Sequence, residues 1–70
     1  MELDWQGVSS ASGWVQECAY DYEEGNLYVR FKGATCIYDV PESVYIGLLN
    51  APSAGTFVHE YLYYLPYRTG

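Results

Sequence analysis

The chain has 70 residues, and half of them are hydrophobic, which suits one small folded domain and argues against a disordered segment. Nine acidic residues outnumber the three basic ones, Arg30, Lys32 and Arg68, so that the net charge is -6. Long nucleic acids are held by many Lys and Arg side chains that neutralise phosphates. The composition therefore argues against long nucleic acid as a partner, whereas a compact anionic ligand stays open.

Three segments in the first half of the chain have the features of β-strands. We predict these strands over about 14–22, 26–32 and 34–39. In the middle strand, Leu27, Val29 and Phe31 alternate with tyrosine and basic residues, which is typical of a strand with one buried face. The first strand has no uniformly apolar face, and we therefore expect a bulge near Glu17. The glycine of the intervening EEGN loop permits a tight reversal, so the strands form an antiparallel meander.

Two helices are predicted after the strands, over about 41–50 and 53–65. Pro41 suits the first turn of a helix, where its missing N–H is not needed, and Ser53 is a typical N-cap residue. Gly47 weakens the first helix by about 1 kcal/mol relative to Ala, and we expect it to let another element approach closely. The elements together predict an α+β fold in which both helices pack on one face of the sheet.

Four tyrosines occur in YLYYLPY, residues 61–67. Tyr61 lies at helical spacing from Phe57 and Leu65, and this stripe is predicted to be core. The rings expected to remain for solvent or a partner belong to Tyr63, Tyr64 and Tyr67. An exposed aromatic cluster indicates a binding surface more strongly than a buried one does.

Aromatic and basic residues alternate on the middle strand. Tyr28, Arg30 and Lys32 are expected to line its open face. Such interleaving holds nucleotides through ring stacking and phosphate pairing. The alternative is a solvated strand face on which a cation lies over a ring. Arg68 beside Tyr67 forms a second cation–aromatic pair, for which the alternative is a frayed tail.

Residues suited to catalysis or metal binding form no recognised pattern in the sequence. His59 is the single histidine, and no spacing requires Cys36 or Ser53 to pair with it. Cys18 and Cys36 form no CxxC motif, and we expect both thiols to be reduced and buried. No glycine-rich phosphate-binding loop precedes a helix. We therefore expect no enzymatic activity, no metal and no other cofactor.

Targeting and membrane signals are not evident in the sequence. The N-terminus has neither the basic region nor the apolar run of a signal peptide, and no stretch approaches the ~18 apolar residues of a membrane span. These features predict a cytoplasmic protein with no membrane partner.

One long segment, LYVRFKGATCIYDVPESVYIGLLNAPSAGTF, resembles the KTSC domain. This short domain is named for its position at the C-terminus of some lysyl-tRNA synthetases, and it also occurs as a free-standing protein in bacteria and phages. The resemblance runs from about Val8 to Leu62. It rests on an alternating strand with a following glycine, a strand ending in tyrosine, Val-Pro, a helix with Val-Tyr and Leu-Leu, and Ala-Pro-Ser-x-Gly. It implies a small sheet with helices against it.

The resemblance gives the domain organisation. We expect a single KTSC-like domain over 14–65, a lead-in segment over 1–13 and a short tail over 66–70. Within the lead-in segment, the small polar residues 9–13 are typical of a loop.

RNA binding, which has been suggested for the family, is a lesser alternative function for this chain, and two departures from the family pattern weaken it. The family has two central tyrosines separated by one residue, and Cys36 replaces the first of them whereas Tyr38 keeps the second. The residues after Gly55 are also more aromatic and less basic than in the family. The candidate ligand-binding residues are Tyr28, Arg30, Lys32, Tyr38, Tyr63, Tyr64, Tyr67 and Arg68.

Two functions follow from these features. The first is a non-enzymatic binding module, encoded by a bacterium or a phage, that holds a compact nucleotide-type ligand through tyrosine stacking and Arg or Lys contacts. The ligand is a nucleotide, a cyclic or short oligonucleotide, or a nucleotide-derived signal, and we expect a homo-oligomer in the cytoplasm of a bacterium or a phage-infected host. The alternative is a protein–protein interaction module, whose Tyr-rich C-terminus joins copies of the chain or inhibits a host protein.

Overall fold

The computed structural model describes residues 3–8 and 14–70 of the chain. These residues form β1 (Gln6–Gly7), β2 (Val15–Asp21), β3 (Asn26–Phe31), β4 (Ala34–Asp39), α1 (Glu42–Asn50), α2 (Ala54–Phe57), a π-helical turn (Val58–Leu62) and β5 (Arg68–Thr69). The α+β class is confirmed, and β2, β3, β4 and α1 agree with their predicted bounds to within one residue at each end. Within these described ranges the sheet has five strands, whereas three were predicted.

The strands form an antiparallel meander in the order β1-β2-β3-β4-β5. Between β2 and β3, Val15 pairs with Phe31 and Glu17 pairs with Arg30, so that Gln16 is one residue too many on β2. The predicted bulge near Glu17 is therefore confirmed. The β2–β3 and β3–β4 turns each contain a glycine in the left-handed region, with φ of 71° at position 25 and 88° at position 33.

The two strands that the sequence analysis missed lie at the edges of the sheet. β1 pairs with the outer edge of β2, and β5 pairs with the outer edge of β4. Both belong to segments that were predicted to be a lead-in segment and a tail. Two residues are too few to show an alternating pattern, which explains why the prediction of three strands was wrong. The loop predicted over residues 9–13 lies outside the described residues.

One face of the sheet packs against both helices, as predicted, and carries the core. The cluster of buried residues there contains Val15, Cys18, Leu27, Val29, Phe31, Tyr38, Val40, Tyr45, Leu48, Ala54, Val58 and Leu62. In α1 the buried residues are Tyr45 and Leu48, which lie at the spacing expected of an amphipathic helix. Gly47 faces α2, and a Cβ atom at this position would lie 3.1 Å from the ring of Phe57. The predicted close approach at Gly47 is therefore confirmed.

The second helix differs from its prediction over 53–65. Ser53 caps it by accepting a hydrogen bond from the Thr56 backbone N–H, but α-helical geometry ends at Phe57. The chain then forms a π-helical turn. π-Helical geometry rotates the residues that follow away from an α-helical register.

The residues of α2 and the π-helical turn that face the core are not those of the predicted stripe. The side chains that face the core are Val58 and Leu62, whereas Tyr61 is 61% exposed and Leu65 is 37% exposed. The prediction that Tyr61 belongs to the core is therefore wrong. The buried stripe of Ala54, Val58 and Leu62 has the same four-residue spacing as the predicted stripe and lies one residue away from it, so the spacing alone did not choose between them.

Candidate ligand-binding site

The two faces of the sheet separate the predicted site residues, because cross-strand partners project to the same face. The covered face, against the helices, includes Leu27 and its partner Tyr38. The open face includes Tyr28 and its partner Ile37, which also pairs with Arg68 of β5. The eight predicted residues therefore do not form one site.

On the open face, Arg30 interacts with residues of its own chain. Its guanidinium group lies 4.1 Å from the centre of the Trp5 ring, and its Nη1 atom donates a hydrogen bond of 2.7 Å to Glu17 Oε2. Trp5 also contacts Tyr28, with the two ring centres 6.3 Å apart at nearly right angles. Tyr28 and Arg30 thus share the open face, as predicted, and Arg30 adopts the alternative arrangement of a cation over a ring.

Arg68 is part of the sheet, so the alternative of a frayed tail is wrong. It pairs with Ile37 across β4 and β5. A small cleft of about 240 Å³ lies beside it and is lined by Ile37, Asp39, Pro66, Tyr67 and Arg68. The carboxylate of Asp39 makes this cleft a poor site for an anion.

A larger cavity lies on the covered face of the sheet, between the sheet, the π-helical turn and the C-terminal segment. We call it the aromatic cavity. Its volume is about 340 Å³, and its lining residues are Trp14, Phe31, Lys32, Ala34, Cys36, Tyr38, Val58, Tyr63 and Tyr67. Four of the eight predicted site residues therefore meet here, from three separate parts of the chain.

Lys32 lines the aromatic cavity rather than continuing the row of Tyr28 and Arg30 on the open face. The prediction that all three line one strand face is therefore wrong for Lys32. Strand β3 ends at Phe31, and the turn at Gly33 has positive φ, so the alternation of the strand does not extend to Lys32.

The aromatic rings of the cavity are fixed by ring contacts. Trp14 packs against Phe31 with ring centres 5.1 Å apart, and Tyr38 packs against Tyr67 at 6.1 Å. Tyr38 is 4% exposed and so forms the floor of the cavity, whereas it had been expected among the ligand-facing rings. Burial raises the pKa of Tyr38 to about 12, with a smaller contribution from Cys36. The phenol is therefore a neutral hydrogen-bonding group at physiological pH.

Cys36 is a half-buried free thiol in the wall of the cavity, and Cys18 is a fully buried free thiol. Burial raises the pKa of the Cys36 thiol, and a hydrogen bond with Tyr38 offsets part of this increase. A thiol with a raised pKa is a weak nucleophile at neutral pH. The cavity wall is thus suited to contact rather than to covalent chemistry.

Tyr63 and Tyr64 occupy different positions although they are neighbours in sequence. Tyr63 lines the cavity and stacks on His59 with ring centres 5.0 Å apart. Tyr64 is 81% exposed and contacts the edge of Tyr63. Of this predicted pair, the structure brings only Tyr63 to the cavity.

Trp14 is the cavity residue that the sequence analysis did not propose as a site residue. The feature of the sequence that could have indicated Trp14 is its position. It is a large aromatic residue directly before a buried strand, where a ring is able to cover the end of the sheet. The partners of Trp14 in the cavity come from residues 31–38 and 58–67, and no pattern within β2 indicates those long-range contacts.

A second cavity, of about 480 Å³, lies between the two helices. Its lining residues are Gly47, Ala51, Pro52, Ser53, Thr56, Phe57, Glu60 and Tyr61. Among these residues the charged side chain is the carboxylate of Glu60, and none of the predicted site residues contributes. This cavity is therefore less suited to an anionic ligand than the aromatic cavity, although it is larger.

The described part of the chain contains neither a cluster of metal-ligating side chains nor a membrane-spanning helix. Residues 3–8 and 14–70 bring no three His, Cys, Asp or Glu side chains together in a way that would hold a metal ion. No helix in these ranges is long and apolar enough to cross a membrane.

Comparisons with known proteins identify the family. The model of the KTSC domain matches residues 11–64, which is most of the chain. Among curated proteins, none matches the chain significantly. The crystal structure of a KTSC domain protein from Yersinia pestis is similar, with a TM-score of 0.85 and 25% sequence identity over 99% of this chain and 99% of that chain. The chain therefore belongs to the KTSC domain family, as its sequence pattern indicated.

Proposed function

We propose that this KTSC protein is a non-enzymatic binding module that holds a compact nucleotide-type ligand in the aromatic cavity. The observation that carries the proposal is the meeting of Trp14, Tyr63 and Tyr67 around one cavity that also has Lys32 in its lining. Aromatic rings stack on nucleobases, and an ammonium group pairs with phosphate. The cytoplasm of a bacterium or of a phage-infected bacterium is where we expect this binding to occur.

The size and chemistry of the cavity support this proposal. Small-molecule sites in proteins usually have volumes of about 300–1,000 Å³ and are mostly apolar, with a few polar groups that orient the ligand. The aromatic cavity, at about 340 Å³, falls within this range. Its polar side-chain groups are the Lys32 ammonium, the Cys36 thiol, the Trp14 indole N–H and the phenol groups of three tyrosines. Such a wall suits a flat ring with one anionic substituent.

Thermal melting of the protein with a panel of nucleosides, nucleotides and cyclic nucleotides tests the proposal, because a ligand that binds the folded state raises Tm. We expect at least one of them to raise Tm. Tyr67→Ala removes an exposed cavity ring and is expected to weaken binding about fivefold or more, since stacking contributes about 1–3 kcal/mol per base. Tyr64→Ala is the matched control, because Tyr64 is equally aromatic and does not line the cavity. Binding that is lost equally in both variants, or no Tm increase with any ligand, would contradict the proposal.

A second candidate function is contact with another protein, above all a second copy of the chain. We define the tyrosine strip as Tyr61, Tyr63, Tyr64 and Tyr67, each of which is at least 59% exposed. Tyrosine is enriched at the centres of protein interfaces, and large exposed apolar patches are uncommon on monomers. The strip also borders the aromatic cavity through Tyr63 and Tyr67, so subunit contact and ligand binding are compatible.

Light scattering of the purified protein tests this second function. The double variant Tyr63→Ser/Tyr64→Ser is expected to reduce the mass from that of an oligomer to that of the single chain. Tyr22→Ser serves as the control, because Tyr22 is similarly exposed but belongs to the β2–β3 turn. A parent protein that is already monomeric at micromolar concentration would exclude self-association through the strip. An oligomer that survives the double substitution would show that other residues hold it together.

A further inference from the structure

The charged residues around the aromatic cavity restrict the net charge of a nucleotide-type ligand. Of the described residues that line the cavity, Lys32 is the one cation, and none is acidic. This is notable in a chain with nine acidic residues. The cavity therefore offers one positive charge to a ligand and no carboxylate that would repel it.

The other two cations of the chain are not available to the same ligand. Arg30 lies on the open face of the sheet, where Glu17 and Trp5 hold its guanidinium group. Arg68 shares that face through its pairing with Ile37. The sheet thus separates both arginines from Lys32.

From this separation we infer that the aromatic cavity selects a ligand with a single negative charge and one nucleoside unit, such as a mononucleotide phosphodiester. This inference rests on the proposed function. One ammonium group neutralises one phosphodiester charge. Further phosphates would lie unpaired beside apolar walls on a protein of net charge -6, which is unfavourable.

The volume of the cavity agrees with one nucleoside unit. At about 340 Å³ it is near the lower end of the range for small-molecule sites. A dinucleotide would need a second base platform and a second cation. The remaining ring of the tyrosine strip beside Tyr63 is Tyr64, which lies outside the cavity and brings no cation with it. The geometry therefore favours a mononucleotide over the short oligonucleotides that the sequence leaves open.

The experiment compares ligands that share a base and differ in charge. Calorimetric titrations use the nucleoside, its 3′,5′-cyclic monophosphate and its 5′-triphosphate, for each of the bases adenine, guanine, cytosine and uracil. For at least one base, the cyclic monophosphate is expected to bind about tenfold more tightly than the nucleoside, which is the effect of about one ion pair. The triphosphate is expected to bind more weakly than the cyclic monophosphate.

Variants of the three cations complete the test. Lys32→Met should bring the affinity for the cyclic monophosphate down to that for the nucleoside measured with the same variant. Arg30→Met and Arg68→Met should change neither affinity by more than about twofold. A triphosphate that binds as tightly as the cyclic monophosphate, or a nucleoside that does so, would overturn the inference while the proposed function stands. If no ligand of the panel binds, the proposed function fails and the inference fails with it.

Discussion

The guanidinium group of Arg30 lies directly over the indole ring of Trp5, at 4.1 Å from the ring centre. The same group donates a hydrogen bond to the carboxylate of Glu17. Trp5 directly precedes β1, whereas Arg30 is in the middle strand of the sheet. The contact therefore ties the N-terminal segment to the centre of the open face, across β2.

Replacing Arg30 by Met is expected to lower the free energy of unfolding by about 1 kcal/mol. A partly exposed cation–π contact contributes about 0.5–1 kcal/mol, and an exposed ion pair contributes about 0.2–1 kcal/mol. Urea denaturation of the variant and the parent measures the difference. Lys32→Met is the control and is expected to change stability by less than about 0.5 kcal/mol, as is usual for surface substitutions. If the two variants are equally stable, the Arg30 contacts add nothing.

A comparison of neighbouring residues tests the register of the π-helical turn. Leu62→Ala is expected to reduce stability by about 2–5 kcal/mol, because Leu62 is fully buried and its truncation leaves a cavity. Tyr61→Ala is expected to cost about 1 kcal/mol or less, since Tyr61 is mostly exposed and its ring packs against the half-buried Phe57. Chemical denaturation measures both. A larger loss of stability for Tyr61→Ala than for Leu62→Ala would show that the predicted stripe, which contains Tyr61, faces the core.

The elements with a clear local pattern could be predicted from the sequence. The alternation of Leu27, Val29 and Phe31 predicts β3, and the mixed faces of β2 predict the bulge near Glu17. The edge strands β1 and β5 have two residues each, and their position depends on hydrogen bonds to distant strands. No local pattern records such pairing. The same limit applies to the π-helical turn, because it departs from the period on which the prediction rests.

The sequence indicated which types of residue line the candidate site, but it did not indicate which of them lie close together in the fold. Tyr63, Tyr67 and the single lysine were proposed, and they meet at the aromatic cavity, whereas Tyr64, also proposed, lies outside it. Arg30 and Lys32, which are two residues apart, were expected together and are separated, because β3 ends between them. Trp14 joins the cavity through contacts with residues more than 15 positions away, which a reading of neighbouring residues does not detect.

Gly47 and Phe57 are expected to be energetically coupled. Alanine in place of Gly47 favours the helix by about 1 kcal/mol, but its Cβ atom would lie 3.1 Å from the Phe57 ring. Overpacking of this kind costs about 1–3 kcal/mol. Gly47→Ala is therefore expected to be neutral or destabilising in the parent protein.

The same substitution is expected to be stabilising by about 0.5–1 kcal/mol when Phe57 has been replaced by Leu, since the helix propensity then acts without the close contact. A double-mutant cycle measured by thermal unfolding gives the coupling. Additive effects of the two substitutions would show that the ring moves aside without cost.

The buried thiol of Cys18 is expected to make the protein less stable at high pH. Burial, with a smaller effect of the Glu17 carboxylate, raises the pKa of Cys18 from 9.0 to about 11. Between these values the unfolded chain has lost the thiol proton and the folded chain retains it, so the folded state binds more protons and stability falls as pH rises. One such group gives a slope of up to about 1.4 kcal/mol per pH unit.

Urea denaturation at pH values between about 8.5 and 10.5 measures this slope, because the thiol of the unfolded chain ionises within this range. Cys18→Ala is expected to flatten it. Cys36→Ala is expected to flatten it less, because Cys36 is half-buried and its pKa is raised less. Parallel curves for the parent and Cys18→Ala would show that the thiol ionises alike in the folded and unfolded chains.

The two short edge strands also determine how the domain joins other polypeptides. β1 and β5 lie at opposite edges of the five-stranded sheet and run in the same direction, because every neighbouring pair is antiparallel. Four strand spacings separate them, or about 19 Å. A polypeptide joined before β1 and one joined after β5 would therefore leave the sheet at diagonally opposite corners, so consecutive copies in a tandem array would lie end to end instead of folding back on one another.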